Sequence, residues 1–443
     1  MISRRDLNKF LLLSPLAAKA AGAAAVPNAP VLLSPGIPHP PLLPYASSVS
    51  PNVGAYKALN VPGKAAGSSY LDPSTGIRVY KVTDATHPAS APANTVEYST
   101  QGLQIGGPWG PNLDQYTIFF VGSQGWLVDY KLGGTFSNYR ACPGTAGKQA
   151  FSRQSPQIQY YSTGSALHRY NTATNALADT GAFPISWPTN TSNNMWLMVN
   201  QNDTYATAIN ASGSGVTSAN LSTGAVINHA TSGLDELYIG YGTKALVNDD
   251  AGGSGATAAY VWDLVANTLT SAGLPFGGMN SLSHAPSMNG YWLLFDTITG
   301  NGHMPIYQVF EDATHANPST TYGDNAGGSF YYGQWHASGH WSQAAGNGQF
   351  VLMSMDGSPG GGWSSYAQYA NIFINVATGI AYTLCYHYSD ITSAYYSPDG
   401  GGYWSQAHTS ISNDGKLVIW NSNMLTAASG GREDVFLCEV PTN

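Results

Sequence analysis

From Ser68 onward the chain is built of short apolar runs with a period of two, separated by turns rich in Gly, Asn, Asp and Thr. The first clear instance spans residues 70–83, where two alternating strands flank Thr75-Gly76. Two half-patterns then recur. One is a turn leading into an apolar strand, at residues 114–120, 156–161, 202–206, 242–247, 289–295, 347–352 and around Gly415. The other is an apolar strand, an Asp or Asn, two further residues and then Thr-Gly, Thr-Asn or a near variant. It occurs at residues 167–175, 219–224, 261–267 and 373–379. Successive units begin about 40 to about 67 residues apart, and glycine-rich insertions lengthen the later ones.

Seven such units predict an all-β fold, a seven-bladed β-propeller. The last unit runs out after residues 435–440, one strand short of four. The hairpin around Gly76 is unassigned strand, so an N-terminal strand is expected to complete the last blade and close the ring. A tandem of β-sandwiches is the rival arrangement, since it would also space its strands regularly. Composition favours β structure in either case. Only 9% of residues are charged, while glycine occurs 51 times and tyrosine 28 times. The chain is thus poor in the residues that build surface helices.

The first residues have a different character. Residues 1–25 carry Arg4-Arg5, a short apolar stretch from Phe10 and an alanine-rich run, the pattern of a twin-arginine export signal. Lys19 interrupts the apolar run well short of the roughly 20 residues a spanning helix needs. Residues 26–66 are rich in Pro and Ala without a period and read as a linker or strap. The propeller domain is assigned to residues 67–443, and the mature protein is expected in the periplasm or outside the cell.

Export also changes the charge. Removing residues 1–25 takes away Arg4, Arg5, Lys9, Lys19 and Asp6, so the formal charge moves from −8 to −11. That balance offers no electrostatic basis for binding nucleic acid, and no membrane insertion of the mature chain is expected. Cys142, Cys385 and Cys438 fit no zinc spacing; Cys385 and Cys438 lie in strands and read as buried thiols, with room for one disulfide after export. The expected state is a monomer.

Candidate chemistry comes from counting back six to eight places from each turn. This reaches Arg153, Asp235 or Glu236, His284, His340 and His408, which a propeller would gather around one channel mouth. Histidine occurs only 11 times in the chain, so three in equivalent repeat positions stand out. Imidazole is both the common metal ligand and the common general base near neutral pH. His336 and Gln334 neighbour His340, and Gln406 neighbours His408. His340, His336, Gln406 and His408 are therefore assigned to a divalent-metal site for Mn, Zn or Ca. The competing reading has each histidine capping its strand, with no cofactor. Trp335, Tyr403 and Trp404 lie beside the same positions and present the faces on which sugar rings pack; core packing between blades is the alternative role.

The last three units resemble the oligogalacturonate lyases, seven-bladed propellers that cleave pectic oligomers by β-elimination with a manganese ion. The resemblance lies in Gln406-Ala407-His408-Thr409-Ser410 through Trp420 with the apolar strand at residues 434–439, in Gly339-His340-Trp341-Ser342, and in His284-Ala285-Pro286-Ser287. It implies His284 as the base that takes the proton alpha to a uronate carboxylate, with metal at His340, Gln406 and His408 neutralising that carboxylate. Gln406 stands where the family has a histidine. The family's arginine has no counterpart, because no arginine occurs between Arg169 and Arg432. Arg153, from another blade, is the remaining source of that charge and is assigned a catalytic role. Two functions follow as expectations: an exported lyase acting on an acidic polysaccharide or oligosaccharide, or a non-catalytic propeller binding glycans or a protein.

Overall fold

The computed structural model describes residues 43–44, 51–88, 99–122, 124–144, 148–163, 165–187, 197–210, 215–231, 234–250, 257–273, 287–288, 290–295, 306–319, 341–343, 350–354, 369–375, 381–389, 407–426 and 433–441. Among these, strands form seven antiparallel sheets of four or five strands; five are built of strands close in sequence, and the last two each take in strands from the N-terminal part of the chain. The first sheet comprises Ser99–Ile105, Gln115–Val121, Gly125–Lys131 and Thr135–Cys142. The second to fifth sheets begin with Gln149–Phe151, Met198–Val199, Leu234–Ile239 and Ser287–Met288. The sixth and seventh begin with Trp341–Gln343 and Ser410–Ile411.

The recurring Asp/Asn motif has a direct physical cause. The Oδ1 atoms of Asn171, Asn220 and Asp263 accept hydrogen bonds from the backbone N–H groups two and three residues on. The fourth residue after each is left-handed: Asn175 (φ 56°), Gly224 (φ 74°) and Asn267 (φ 56°). An Asx turn followed by a left-handed residue needs Asn or Asp first and Gly or Asn last, which is the pattern in the sequence. Asp72 and Gly76 (φ 74°) make the same turn between Ser69–Leu71 and Arg78–Lys81.

The second strands of the first, second, third and seventh sheets are buried on both faces, while outer strands such as Thr135–Cys142 and Val226–Ala230 are largely exposed. In the first sheet Ile118, Phe120 and Val128 pack with Leu417, Ile419, Val435 and Leu437 of the seventh. Phe119 and Leu127, pointing the other way, pack with Phe151, Tyr161 and Tyr170 of the second. Such two-sided burial explains runs as continuous as Ile118-Phe119-Phe120. Shared cores likewise join the second sheet to the third, the third to the fourth and the fourth to the fifth. One larger core holds Leu293, Leu352, Phe373, Trp420 and Phe436 of the fifth, sixth and seventh.

The N-terminal hairpin pairs with the last strand of the chain, as the strand count anticipated. Val79, Tyr80 and Lys81 lie opposite Cys438, Leu437 and Phe436, so Asp434–Glu439 is an inner strand of a five-stranded sheet. The described part of residues 26–66, the expected linker or strap, is docked on the sheets. Leu43 and Pro44 pair with Thr383 and Tyr382 of the sixth sheet. A short helix, Val53–Ala58, is capped by the Asn52 side chain and buries Tyr56, whose ring stacks on Tyr388 at 3.7 Å. The export segment lies outside the described residues. No helix among the described residues is long and apolar enough to cross a membrane. All three cysteines are free and buried, and burial pushes the Cys142 thiol up to about 12.

One close approach gives a sharp test of this packing. A Cβ at Gly125 would stand 1.9 Å from the Gly144 carbonyl oxygen and 3.0 Å from Cys142 Sγ. Backbone, not a flexible side chain, blocks it. Gly125→Ala is expected to destabilise the protein by about 3 kcal/mol, read as a lower urea midpoint. A midpoint equal to wild type would mean that the Gly144 loop yields without cost.

Candidate functional site

Each first strand has a leading end, where the chain arrives, and a trailing end, where it turns into the second strand. The two ends carry different chemistry.

At the leading end of the seventh sheet, Ala407-His408-Thr409 runs into Ser410–Ile411. His408 is 5% exposed and has φ +43°, a left-handed conformation uncommon outside glycine. The geometry is held from both sides. Asn421 N–H donates to the Ala407 carbonyl at 3.0 Å, and Thr409 Oγ1 donates to Asn371 Oδ1 at 2.7 Å. Asn371 belongs to Ala370–Asn375 of the sixth sheet, so this bond ties the two sheets together beside the histidine.

Further buried polar groups gather at that end. Asn421 Nδ2 donates to Glu433 Oε2 at 3.1 Å, and Asn423 N–H donates to Ser389 Oγ at 3.3 Å. Ser389 N–H donates to Nδ1 of His387 at 3.0 Å, which occupies that lone pair and puts the proton of the neutral ring on Nε2. Two imidazoles, one carboxylate and several amides and hydroxyls therefore lie at the leading ends of the sixth and seventh sheets. Imidazole and carboxylate are the groups that carry protons near neutral pH. His387, Ser389 and Glu433 were not singled out in the sequence. The one available signal for His387 was its place directly after the apolar strand Ala381–Tyr386.

The other predicted residues of this end, His284, Trp335, His336, His340, Tyr403, Trp404 and Gln406, lie outside the described residues. In sequence, His340 directly precedes Trp341–Gln343 and His284 stands three residues ahead of Ser287–Met288. Among the described residues, no three His, Cys, Asp or Glu side chains are grouped to hold a metal ion. The proposed ligand set contributes only His408 to those residues.

Arg153 is not brought to His408. It follows Gln149–Phe151 by two residues and so occupies a trailing end, where its Nη1 lies 3.5 Å from Oδ1 of Asn413. Asn413 follows Ser410–Ile411 while His408 precedes it, so the seventh sheet's first strand separates the arginine from the histidine. The reason is a strand shift: the turns used for counting lead into the second strand of each sheet, and the connection back to the first strand varies in length. The same count lands Asp235 and Glu236 inside Leu234–Ile239.

The trailing end has its own network. Asp203, of the turn in the third sheet, accepts hydrogen bonds from Arg153 N–H at 2.8 Å, Gln154 N–H at 3.3 Å and Ser152 Oγ. Burial raises the Asp203 carboxyl above its ordinary value, opposed by these donors. Burial likewise lowers the half-buried Arg153 guanidinium, opposed by Tyr241 and Asp203. Gln154 Nε2 donates to the Gln201 carbonyl at 2.7 Å, and Gln201 Nε2 is buried with no partner among the described residues. An unmet buried donor costs about 1–3 kcal/mol.

No protein-family model matches the chain, and no curated protein matches it in sequence. Similar solved structures include U3-55K, at 10% identity over 79% of this chain and 99% of that one, with a TM-score of 0.44. TolB from Acinetobacter baumannii is similar at 12% identity over 87% and 86% of the two chains, with a TM-score of 0.36. The acylaminoacyl peptidase of Pyrococcus horikoshii is similar at 10% identity over 73% of this chain and 50% of that one, with a TM-score of 0.43. At these scores nothing of the activity of these proteins carries over to this chain.

Proposed function

We propose that the chain is an exported seven-bladed β-propeller that cleaves an acidic, uronate-containing polysaccharide by β-elimination at the leading ends of its first strands. The observation that carries this reading is His408: a buried imidazole in a left-handed conformation next to the Asn371–Thr409 bridge, at the end of the sheets that also carries His387 and Glu433. Backbone strain held in place by surrounding bonds recurs at active sites. Ring closure is supported by the N-terminal hairpin on Asp434–Glu439 and by the core shared between the seventh and first sheets.

In this reading His284 takes the proton alpha to the uronate carboxylate, and the glycosidic oxygen leaves the neighbouring carbon to give an unsaturated uronate. A divalent ion (Mn, Zn or Ca) held by His340, His336, Gln406 and His408 would supply charge against that carboxylate. Trp335, Tyr403 and Trp404 would pack on sugar rings. The mature protein acts as a monomer in the periplasm or outside the cell, and it neither binds nucleic acid nor inserts in a membrane.

A second reading, a glycan- or protein-binding propeller without catalysis, is favoured by one observation. The only arginine assigned to the reaction is committed to the other end of the strands. One experiment separates the two. The purified protein is screened against acidic polysaccharides for the ultraviolet absorbance of an unsaturated uronate, with elemental analysis of the same sample. Elimination is expected, with a stoichiometric divalent metal and a rate at least about 100-fold lower in His284→Ala. Absence of both metal and new absorbance, with His284→Ala binding glycans like wild type, leaves only the second reading.

A further inference from the structure

Left-handed backbone on bulky residues gathers at one place in the fold. Tyr369 (φ 63°), Tyr388 (φ 51°), His408 (φ 43°), Met424 (φ 57°) and Leu425 (φ 55°) all stand at the leading ends of the sixth and seventh sheets. Elsewhere among the described residues such backbone falls mainly on Asn, Asp and Gly. A Cβ makes this conformation costly, so it persists only where neighbours hold it. Here the holding bonds run between the strained segments themselves. His387 N–H donates to the Tyr369 carbonyl at 2.7 Å, and Leu425 N–H to the Tyr388 carbonyl at 3.1 Å. Ser389 donates its N–H to His387 Nδ1 and accepts Asn423 N–H on its Oγ. His387, Tyr388 and Ser389 thus make one turn that keeps an imidazole in a fixed tautomer.

The middle of that turn is covered by the N-terminal strap. Tyr56 stacks on the buried Tyr388 with ring centroids 3.7 Å apart and planes 10° from parallel. Beyond Tyr388 the rings continue to Tyr369 at 6.2 Å, which meets the His387 imidazole edge-on at 6.0 Å and 89°. On its other side Tyr56 meets Tyr70 of the hairpin at 5.9 Å. Within Val53–Ala58 only Tyr56 is buried. A helix of six residues does not persist alone, so helix and docking form together with this ring as the anchor. The strap is pinned separately where Lys81 Nζ binds the Val61 and Pro62 carbonyls, so losing Tyr56 frees the helix without unpinning that end.

We infer that Tyr56 is a positioning residue for the leading-end site: the docked strap fixes the His387 imidazole through Tyr388, and undocking the strap releases it. Its role in turnover rests on the elimination proposed above, whereas the positioning is measured without any reaction.

The nitrogen NMR spectrum of the histidine side chains, recorded with the rings neutral and with His387 assigned from His387→Gln, is compared in the full chain of wild type, Tyr56→Leu and Tyr56→Phe. Amide exchange is followed in the same samples. In wild type, Nδ1 of His387 is expected to be unprotonated and Nε2 to carry the proton. In Tyr56→Leu the two nitrogen signals are expected to move toward each other as the ring samples both tautomers, and the Ser389 amide to exchange at least about 10-fold faster. The Leu221 and Leu264 amides, bonded to the Thr204 and Thr243 carbonyls beside the third and fourth sheets, are expected to keep wild-type rates. Tyr56→Phe keeps the ring and is expected to restore every signal. Should Tyr56→Leu fail to fold, Asn52→Ala, which removes the exposed cap of the helix, is expected to move the same signals in the same direction. Wild-type His387 and Ser389 signals in the folded variant, equal acceleration of the Leu221 and Leu264 amides, or a Tyr56→Phe that behaves like Tyr56→Leu overturns the positioning. If elimination occurs, Tyr56→Leu is expected to lower kcat at least about 10-fold, and an unchanged kcat with moved signals would take Tyr56 out of the reaction. Absence of turnover in wild type would sink the elimination and leave the positioning to be decided by the spectrum.

Discussion

Lys81→Met is expected to destabilise the protein by about 3–5 kcal/mol, and Lys81→Met/Asp434→Leu to recover most of that loss. Lys81 Nζ and Asp434 Oδ2 are 3.0 Å apart and both side chains are 0% exposed. The ammonium also donates to the carbonyls of Val61 and Pro62, at 3.1 and 3.2 Å, so three acceptors meet its three protons. The second carboxylate oxygen accepts from Thr83 Oγ1 at 3.1 Å. Such a pair gains little over an apolar one, because removing both charges from water offsets their attraction. Removing one partner alone leaves the other buried and unpaired, and that asymmetry gives the expected loss. Its position makes the effect global: Lys81 lies on the N-terminal hairpin and Asp434 on the last strand, so the pair joins the two ends of the chain. Urea midpoints of the two single variants and the double variant measure the coupling. If Lys81→Met folds too poorly to titrate, recovery of a cooperative transition in the double variant is the readout. A single variant within about 0.5 kcal/mol of wild type would mean that water reaches the pair.

Legibility in the sequence followed the length of the element. Strands of five to eight residues, such as Gln115–Val121 and Leu417–Ser422, carry a period and a turn. The Asx turns advertise themselves because left-handed backbone narrows the choice to Gly or Asn. Pairing of the N-terminal hairpin with the last strand followed from counting strands, since an inner edge without a partner is costly. Most first strands were not legible. Gln149–Phe151, Met198–Val199, Ser287–Met288 and Ser410–Ile411 have two or three residues, too few for any period to show, unlike Ser99–Ile105 and Leu234–Ile239. Anchoring the count on the second strand instead placed Arg153 beside His408. The true correspondence, of Arg153 with Asn413, is a property of pairing register. Nor does anything local mark Tyr56 as buried: its burial depends on Tyr388, far along the chain, stacking against it.

His408→Ala and His408→Gly are both expected to lower the elimination rate at least about 100-fold, yet to differ in stability by about 1 kcal/mol in favour of glycine. Both variants remove the imidazole and every bond it makes, so what they share is the chemistry. They differ only in a methyl group on a residue held at φ +43°. Alanine carries there the clash between Cβ and the backbone that the left-handed region imposes, and glycine does not. The position is fixed by Asn421 N–H on the Ala407 carbonyl and by Thr409 on Asn371, bonds that neither substitution touches. The backbone therefore has no easy way to relax in the alanine variant. Urea midpoints separate the two proteins, and turnover of an acidic polysaccharide compares each with wild type. Equal midpoints would show that the left-handed geometry carries no strain. Wild-type turnover in either variant would take His408 out of the reaction. A glycine variant that is the more stable of the two while inactive would mean that the chain maintains, at this one residue, a conformation whose return lies in placing the imidazole.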